Sequence, residues 1–131
     1  MKKTGLLNQP LSTVIAGLGH TDMLCIGDAG LPIPRGPERI DLAVKAGVPA
    51  FLDVLDAVLG EMEVEQIIIA AELEQVSPEM HTAIMEKLSG TSVSVISHEA
   101  FKTKTQDAVA VVRTGEVTPY ANIILVSGVV F

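Results

Sequence analysis

Two side chains able to move protons near neutral pH flank one short apolar run. His20 stands in Gly19-His20-Thr21-Asp22, just before Met23-Leu24-Cys25-Ile26, and Asp28 stands just after it in Asp28-Ala29-Gly30. An imidazole and a carboxylate placed around one small polar ligand can serve as general acid and base. His98 closes a second apolar run, and Tyr120 and Asn122 share the loop Thr118-Pro119-Tyr120-Ala121-Asn122. An imidazole, a phenol and an amide are groups that hold hydroxyl-rich ligands.

Each of these residues also has an ordinary explanation. Gly19 follows an apolar helical pattern, so His20 could simply face the last helical carbonyls. Asp28 could be a turn former, His98 a helix cap, and Tyr120 a ring packed against a turn. His81 falls in the first turn of a helix near Glu79 and reads as a solvated surface residue. Asp22 reads as a source of turn hydrogen bonds.

Other chemistries lack their signals. There is no His-Glu-x-x-His, no cysteine pair and no compact His/carboxylate array beyond His20-x-Asp22, so no metal is expected. Neither a Gly-x-x-x-x-Gly-Lys-Ser/Thr loop nor a Gly-x-Gly-x-x-Gly after a strand occurs, and Ser127-Gly128 is not a Gly-x-Ser-x-Gly elbow. No cofactor is expected.

Composition narrows the class further. A chain of 131 residues is expected to be one domain, 1–131, with a real core. Hydrophobic residues reach 48% and charged ones only 19%, which argues against disorder. Aromatic residues are 3%, so the core must be aliphatic. A mean hydropathy of +0.44 is high for a small soluble monomer and points to an apolar face hidden in an assembly or at a membrane. No apolar run approaches the roughly 20 residues needed to span a bilayer. Leu6-Leu7 is cut short by Asn8-Gln9-Pro10, so Met1-Lys2-Lys3 does not open a signal peptide. The single cysteine, Cys25, lies inside an expected strand as a buried inert thiol and suits the cytosol. A net charge of −7 with no basic stripe makes nucleic acid a poor partner.

The elements that must position these residues alternate. Pro10 suits the first position of a helix whose inner stripe is Leu11, Val14, Ile15 and Leu18, ending at Gly19. Met23–Ile26 reads as a strand. Ile40, Leu42 and Val44 alternate with polar or small residues as in a half-buried strand. A helix is expected from Pro49, with Leu52, Leu55, Val58, Leu59 and Met62 inward. Ile67–Ala71 reads as a central strand buried on both faces, with Glu72 and Glu74 in the loop beyond. Ser77-Pro78-Glu79 has the form of a helix start with Ser77 as N-cap, and Met80, Ile84 and Leu88 face inward. Val93, Val95 and Ile96 make a strand, a short helix covers 99–105, and Ala108–Val112 and Ile123–Val126 are the last strands. The alternation argues for an α/β fold with a mostly parallel sheet. Ligands in such folds bind beyond the strand C-termini, which places Asp28 and His98. His20 and Tyr120–Asn122 precede their strands, and that rule does not place them.

Seven motifs in order carry a resemblance along the whole chain. They are Gly19-His20-Thr21-Asp22, Asp28-Ala29-Gly30-Leu31-Pro32, Arg39-Ile40-Asp41-Leu42, Gly47-Val48-Pro49-Ala50-Phe51, Ser97-His98-Glu99-Ala100-Phe101-Lys102, Arg113-Thr114-Gly115-Glu116 and Pro119-Tyr120-Ala121-Asn122. In these the chain resembles the RbsD/FucU family of sugar mutarotases. Gly30-Leu31 is similar to the branch that acts on ribose, where the fucose branch has Asn-Phe. Gly27 departs from the usual Ala but lies outside the polar set. The resemblance implies a three-layer α/β fold with helices on both faces, assembled into rings as a decamer of two pentamers, with sites near subunit boundaries. It implies an isomerase that interconverts the pyranose and furanose forms of D-ribose in the cytoplasm and supplies the furanose for ribose utilisation. It implies His20 as proton donor, substrate contacts from Asp28, His98, Tyr120 and Asn122, and no metal or cofactor. On that basis Asp28 would orient His20 or accept a sugar hydroxyl. A non-catalytic sugar-binding component of a transport system, or a purely structural ring protein, would share much of this sequence; His20 separates the enzyme from the first.

The stretch Ile123–Phe131 is apolar to its last residue. It is expected to be buried against its own or a neighbouring chain. Anchored at an interface, it would carry Tyr120 and Asn122 to a boundary, where they complete a pocket begun by His20 and Asp28 of the adjacent chain.

Overall fold

The computed structural model describes residues 1–3 and 5–131. The elements run α1 (Gln9–Gly17), β1 (Met23–Gly27), β2 (Glu38–Asp41), α2 (Phe51–Leu59), β3 (Val64–Ala70), α3 (Ala71–Val76), α4 (Pro78–Lys87), β4 (Ser92–Ile96), α5 (His98–Lys104), a 3-10 turn at Thr105–Asp107, β5 (Ala110–Arg113) and β6 (Ile123–Ser127). One six-stranded sheet has the order β2-β5-β1-β6-β3-β4. Strand β1 pairs parallel with β5, β2 with β5, and β3 with β4. Strand β6 runs antiparallel to both its neighbours, β1 and β3. The sheet is thus mostly parallel, as expected, with one reversed strand at its centre.

Alternation along the strands feeds two cores. On one face Leu24, Ile26, Ile67, Ile69, Ile123 and Leu125 pack under Leu11 and Val14 of α1, Phe51 and Leu55 of α2, Leu73 of α3 and Ile84 of α4. On the other, Cys25, Ile68, Val111, Ile124 and Val126 pack with Phe101 of α5. The three expected layers are present. Cys25 is fully buried, and burial, then the nearby Asp28 charge, pushes its thiol far above the ordinary range.

Several local expectations shift by a few residues, each for a visible reason. Asn8 caps α1 by accepting from the Leu11 amide at 3.0 Å, and the helix stops at Gly17 because Leu18 turns extended. Helix α2 starts at Phe51, whose amide donates to Glu116 Oε2 at 3.0 Å. Strand β2 ends at Asp41, and Val44 and Lys45 turn back onto the Val48 carbonyl, so Val44 is exposed. Glu72 to Glu74, expected as a loop, lie in α3, which also takes Ala71 from the expected strand. Ser77 does not cap α4: its hydroxyl donates to the Pro119 carbonyl at 2.7 Å instead. Ser97 caps α5 through the Ala100 amide at 3.1 Å, so that helix begins on His98 itself.

Of the apolar C-terminal stretch, Ile123–Ser127 is buried in β6, while Val130 and Phe131 are 88% and 100% exposed, so these last residues are not buried against their own chain. Among the described residues no helix is long and apolar enough to cross a membrane.

Candidate active site

The reversed direction of β6 builds the site. Because β6 is antiparallel to β1, its first residue lies where β1 ends: Ile123 pairs with Ile26. The loop before β6 therefore meets the loop after β1, and Asn122 meets Asp28. The Asp28 amide donates to Asn122 Oδ1 at 2.8 Å, and Asn122 Nδ2 donates to Asp28 Oδ2 at 3.1 Å. Asn122 is 1% exposed, so both its amide atoms must be satisfied, and this reciprocal pair does it. Asp28 Oδ1 also accepts from the Gly30 amide at 2.9 Å, which closes the turn. Gly27 belongs to this arrangement after all. A Cβ there would lie 2.5 Å from Leu31 Cδ2 and 3.0 Å from Asn122 Oδ1, so its lack of a side chain lets the Asn122 amide approach.

Tyr120 and His98 form the second half. Tyr120 has φ +63, unusual for a bulky residue, and its carbonyl accepts from the Asn122 amide at 2.7 Å. That backbone turns the phenol against His98, with ring centroids 5.0 Å apart and planes at 82°. The edge-to-face geometry is the favourable one for two rings. Phe101 stacks with His98 at 6.4 Å and 11°. The His98 amide donates to Glu72 Oε2 at 2.9 Å, which ties α5 to the start of α3. His98 Nδ1 is buried and has no hydrogen-bond partner among the described residues. A buried unpaired ring nitrogen beside a phenol is a place for a ligand hydroxyl.

A framework that residue types alone did not single out holds both halves together. Glu116 Oε1 accepts from the Thr118 hydroxyl at 2.7 Å and the Thr118 amide at 3.2 Å, while Oε2 takes the Phe51 amide. Its own carbonyl accepts from the Ala29 amide at 2.8 Å. Partial burial pushes the Glu116 carboxyl up, but the hydrogen bonds from Thr118, Phe51 and Val117 outweigh it and hold it below the ordinary range. Thr114 Oγ1 donates to the Gly27 carbonyl at 2.8 Å. Arg113 Nε donates to the Ala29 carbonyl at 3.0 Å, and its Nη1 pairs with Asp41 at 3.2 Å. The available signal was Thr114-Gly115-Glu116 at a strand end, which has no periodicity to mark it.

His20 is elsewhere. It precedes β1, whereas Asp28 follows it, and a five-residue strand at ~3.3 Å per residue separates them by roughly 16 Å or more. Within one chain Asp28 therefore does not orient His20. The expected grouping of His20 with Asp28 in one chain gives way to Asp28 with Asn122. The His20 Nε2 lies 2.9 Å from Glu65 Oε2 instead. Asp22, as expected, makes a turn bond, accepting from the Gly19 amide at 2.8 Å. Among the described residues no three His, Cys, Asp or Glu side chains come together as a metal site would require.

Asp28 with Asn122, and Tyr120 with His98, bring a carboxylate, an amide, a phenol and an imidazole to and around the loop before β6, groups able to hydrogen-bond a small polyhydroxy ligand. Residues 1–130 match the RbsD / FucU transport protein family, and the chain belongs to that family. It is 59% identical to a D-ribose pyranase from Clostridium perfringens over 131 residues, all of both chains. Its fold is similar to that of Bacillus subtilis RbsD, solved in complex with D-ribose, with a TM-score of 0.97 and 49% identity over all of both chains. A fucose mutarotase from Streptococcus pneumoniae, solved with L-fucose, has a TM-score of 0.79 and 25% identity over 95% of each chain.

Proposed function

We propose that the protein is an isomerase that interconverts the pyranose and furanose ring forms of D-ribose. The observation that carries this is the Asp28–Asn122 pair beside the Tyr120–His98 pair, in a chain whose full-length relatives include D-ribose pyranases. Asp28, His98, Tyr120 and Asn122 hold the sugar hydroxyls. They are hydrogen-bonded or packed in advance, so little ordering is left for binding.

Ring exchange breaks no carbon–carbon bond. The bond between C1 and the ring oxygen opens, the ring oxygen gains a proton, and the anomeric hydroxyl loses one to give the aldehyde. Another hydroxyl then adds to C1 and the protons move back. General acid and base groups suffice, and His20 is the proton donor in this reading. Since His20 cannot reach its own chain's Asp28, it serves the site of a neighbouring subunit. The exposed side chains of Val44, Val117, Val130 and Phe131 are the apolar surface that such an assembly covers. A decamer of two pentameric rings, working in the cytoplasm to supply furanose for ribose utilisation, completes the proposal.

NMR saturation transfer between ribose ring forms, with and without protein, is the test. Faster exchange with wild type is expected. Binding of ribose without faster exchange would favour a non-catalytic sugar-binding protein.

A further inference from the structure

His20 is a surface side chain, 55% exposed, yet the reading above asks it to deliver a proton to one oxygen. What holds its ring is Glu65, whose Oε2 lies 2.9 Å from Nε2. A carboxylate only accepts, so Nε2 carries the hydrogen and donates. Among the described residues the ring makes no other hydrogen bond, which leaves Nδ1 as the atom free to meet a substrate.

The backbone on both sides is shaped to make this contact. Along β3, Val64 pairs with Ser127 and Gln66 with Val126, so Glu65 is the extra residue of a β-bulge. Bulges re-aim a side chain and are frequent beside active sites. Gly128 lies against the bulge: a Cβ there would sit 3.3 Å from Glu65 Cβ and 3.4 Å from its amide nitrogen. On the other side Thr21 has φ +70, a left-handed conformation costly for a β-branched residue. Its amide donates to the Ser127 carbonyl at 2.9 Å, and the Ser127 amide donates to the Asp22 carbonyl at 2.8 Å. The turn carrying His20 is thus fastened to β6, one strand from the bulge that carries Glu65. An exposed ion pair adds little to stability, so stability does not account for a bulge and a left-handed threonine built around one. Such local strain gathers at functional positions.

We propose that Glu65 is a positioning residue for His20: it holds the imidazole with Nε2–H toward itself and presents Nδ1 to the sugar. This rests on His20 being the proton donor. In ring opening the bond from C1 to the ring oxygen breaks and its electron pair stays on oxygen, which takes the proton from Nδ1 of the imidazolium. The anomeric oxygen forms the carbonyl and releases its proton to water. In reclosure a sugar hydroxyl adds to C1 and gives its proton to Nδ1, while the carbonyl oxygen takes one from water. Glu65 accepts from Nε2 throughout and exchanges no proton.

The test compares Glu65→Ala, Glu65→Gln and His20→Ala in the intact assembly, with kcat and KM for ring exchange and the 15N shifts of labelled histidine. Glu65→Ala should lower kcat about tenfold with KM within about twofold. Its neutral His20 should shift toward a mixture of tautomers. Glu65→Gln, whose amide oxygen still accepts from Nε2, should restore most of kcat and the Nε2–H tautomer. Wild-type kcat and an unchanged tautomer in Glu65→Ala would overturn the proposal, as would equal losses in both Glu65 variants with the tautomer unmoved. Full activity in His20→Ala would instead remove the reading on which the proposal rests, whatever the Glu65 variants do.

Discussion

The two ends of the central strands are built in opposite ways. Where β1 ends and β6 begins, Asp28, Asn122, Thr114 and Glu116 bond to one another and to the backbone, and Asn122 and Thr114 are buried. Where β1 begins and β6 ends, His20 stands on a turn half in solvent, and one exposed carboxylate holds its ring. The first end has the rigidity a binding site needs, because groups ordered in advance cost little on binding. The second projects a single proton carrier outward, which suits service to a neighbouring chain. In the proposed reading, binding and proton transfer are separated within the chain and joined by assembly.

The strongest way to break this contrast is to remove one end at a time. His20→Ala should reduce ring-form exchange by about 10²–10⁴-fold, the usual worth of a general acid. Ribose binding, followed by calorimetry, should survive, because the rigid end is intact. Asn122→Ala should do the reverse. It strips the Asp28 amide of its partner, weakens ribose binding, and costs about 1–3 kcal/mol of stability for the buried group left unpaired. A loss of binding in His20→Ala equal to that in Asn122→Ala would erase the distinction.

Mixing sharpens it. When His20→Ala and Asn122→Ala chains are dissociated and reassembled together, some interfaces regain both residues, and part of the activity should return. A mixture as inactive as its parents would place the whole site within one chain, which the separation along β1 argues against.

Smaller effects probe the framework. Glu116→Gln keeps the shape but puts a donor-only amide nitrogen where one carboxylate oxygen accepted, so either the Phe51 bond or the Thr118 amide bond is lost. It should lower the melting temperature at pH 7 by a few degrees, for about 1 kcal/mol. The folded Glu116 carboxyl is held below its ordinary 4.5. A carboxylate lowered in the folded state stabilises above its unfolded value and loses that contribution as pH falls through the folded one. The gap between wild type and Glu116→Gln should therefore narrow below about pH 4.5 in thermal melts; a constant gap would assign the loss to packing. Dialysis against a strong chelator should change activity least, with none lost. Activity lost and then restored by one metal would replace acid–base chemistry with metal chemistry.

How much of this was legible in the chain depends on whether the signal is local. The Leu11-Val14 stripe and the apolar run Ile67–Ile69 act over a few turns of helix or one strand, so residue type and spacing determine the elements they build. Helix α3 was not legible, because its six residues are too few for a period to stand out. Glu116 stood in the Arg113-Thr114-Gly115-Glu116 motif, but its role was not legible, since its bond reaches a residue as distant in the chain as Phe51. The decisive matter was strand direction. Ile123–Val126 reads the same whether it runs with its neighbours or against them, because an apolar run buried on both faces has no polarity in its side chains. Only pairing with β1 and β3 reversed it, and that reversal carried Asn122 to Asp28. His20, before a strand that runs the other way, was left at the opposite edge.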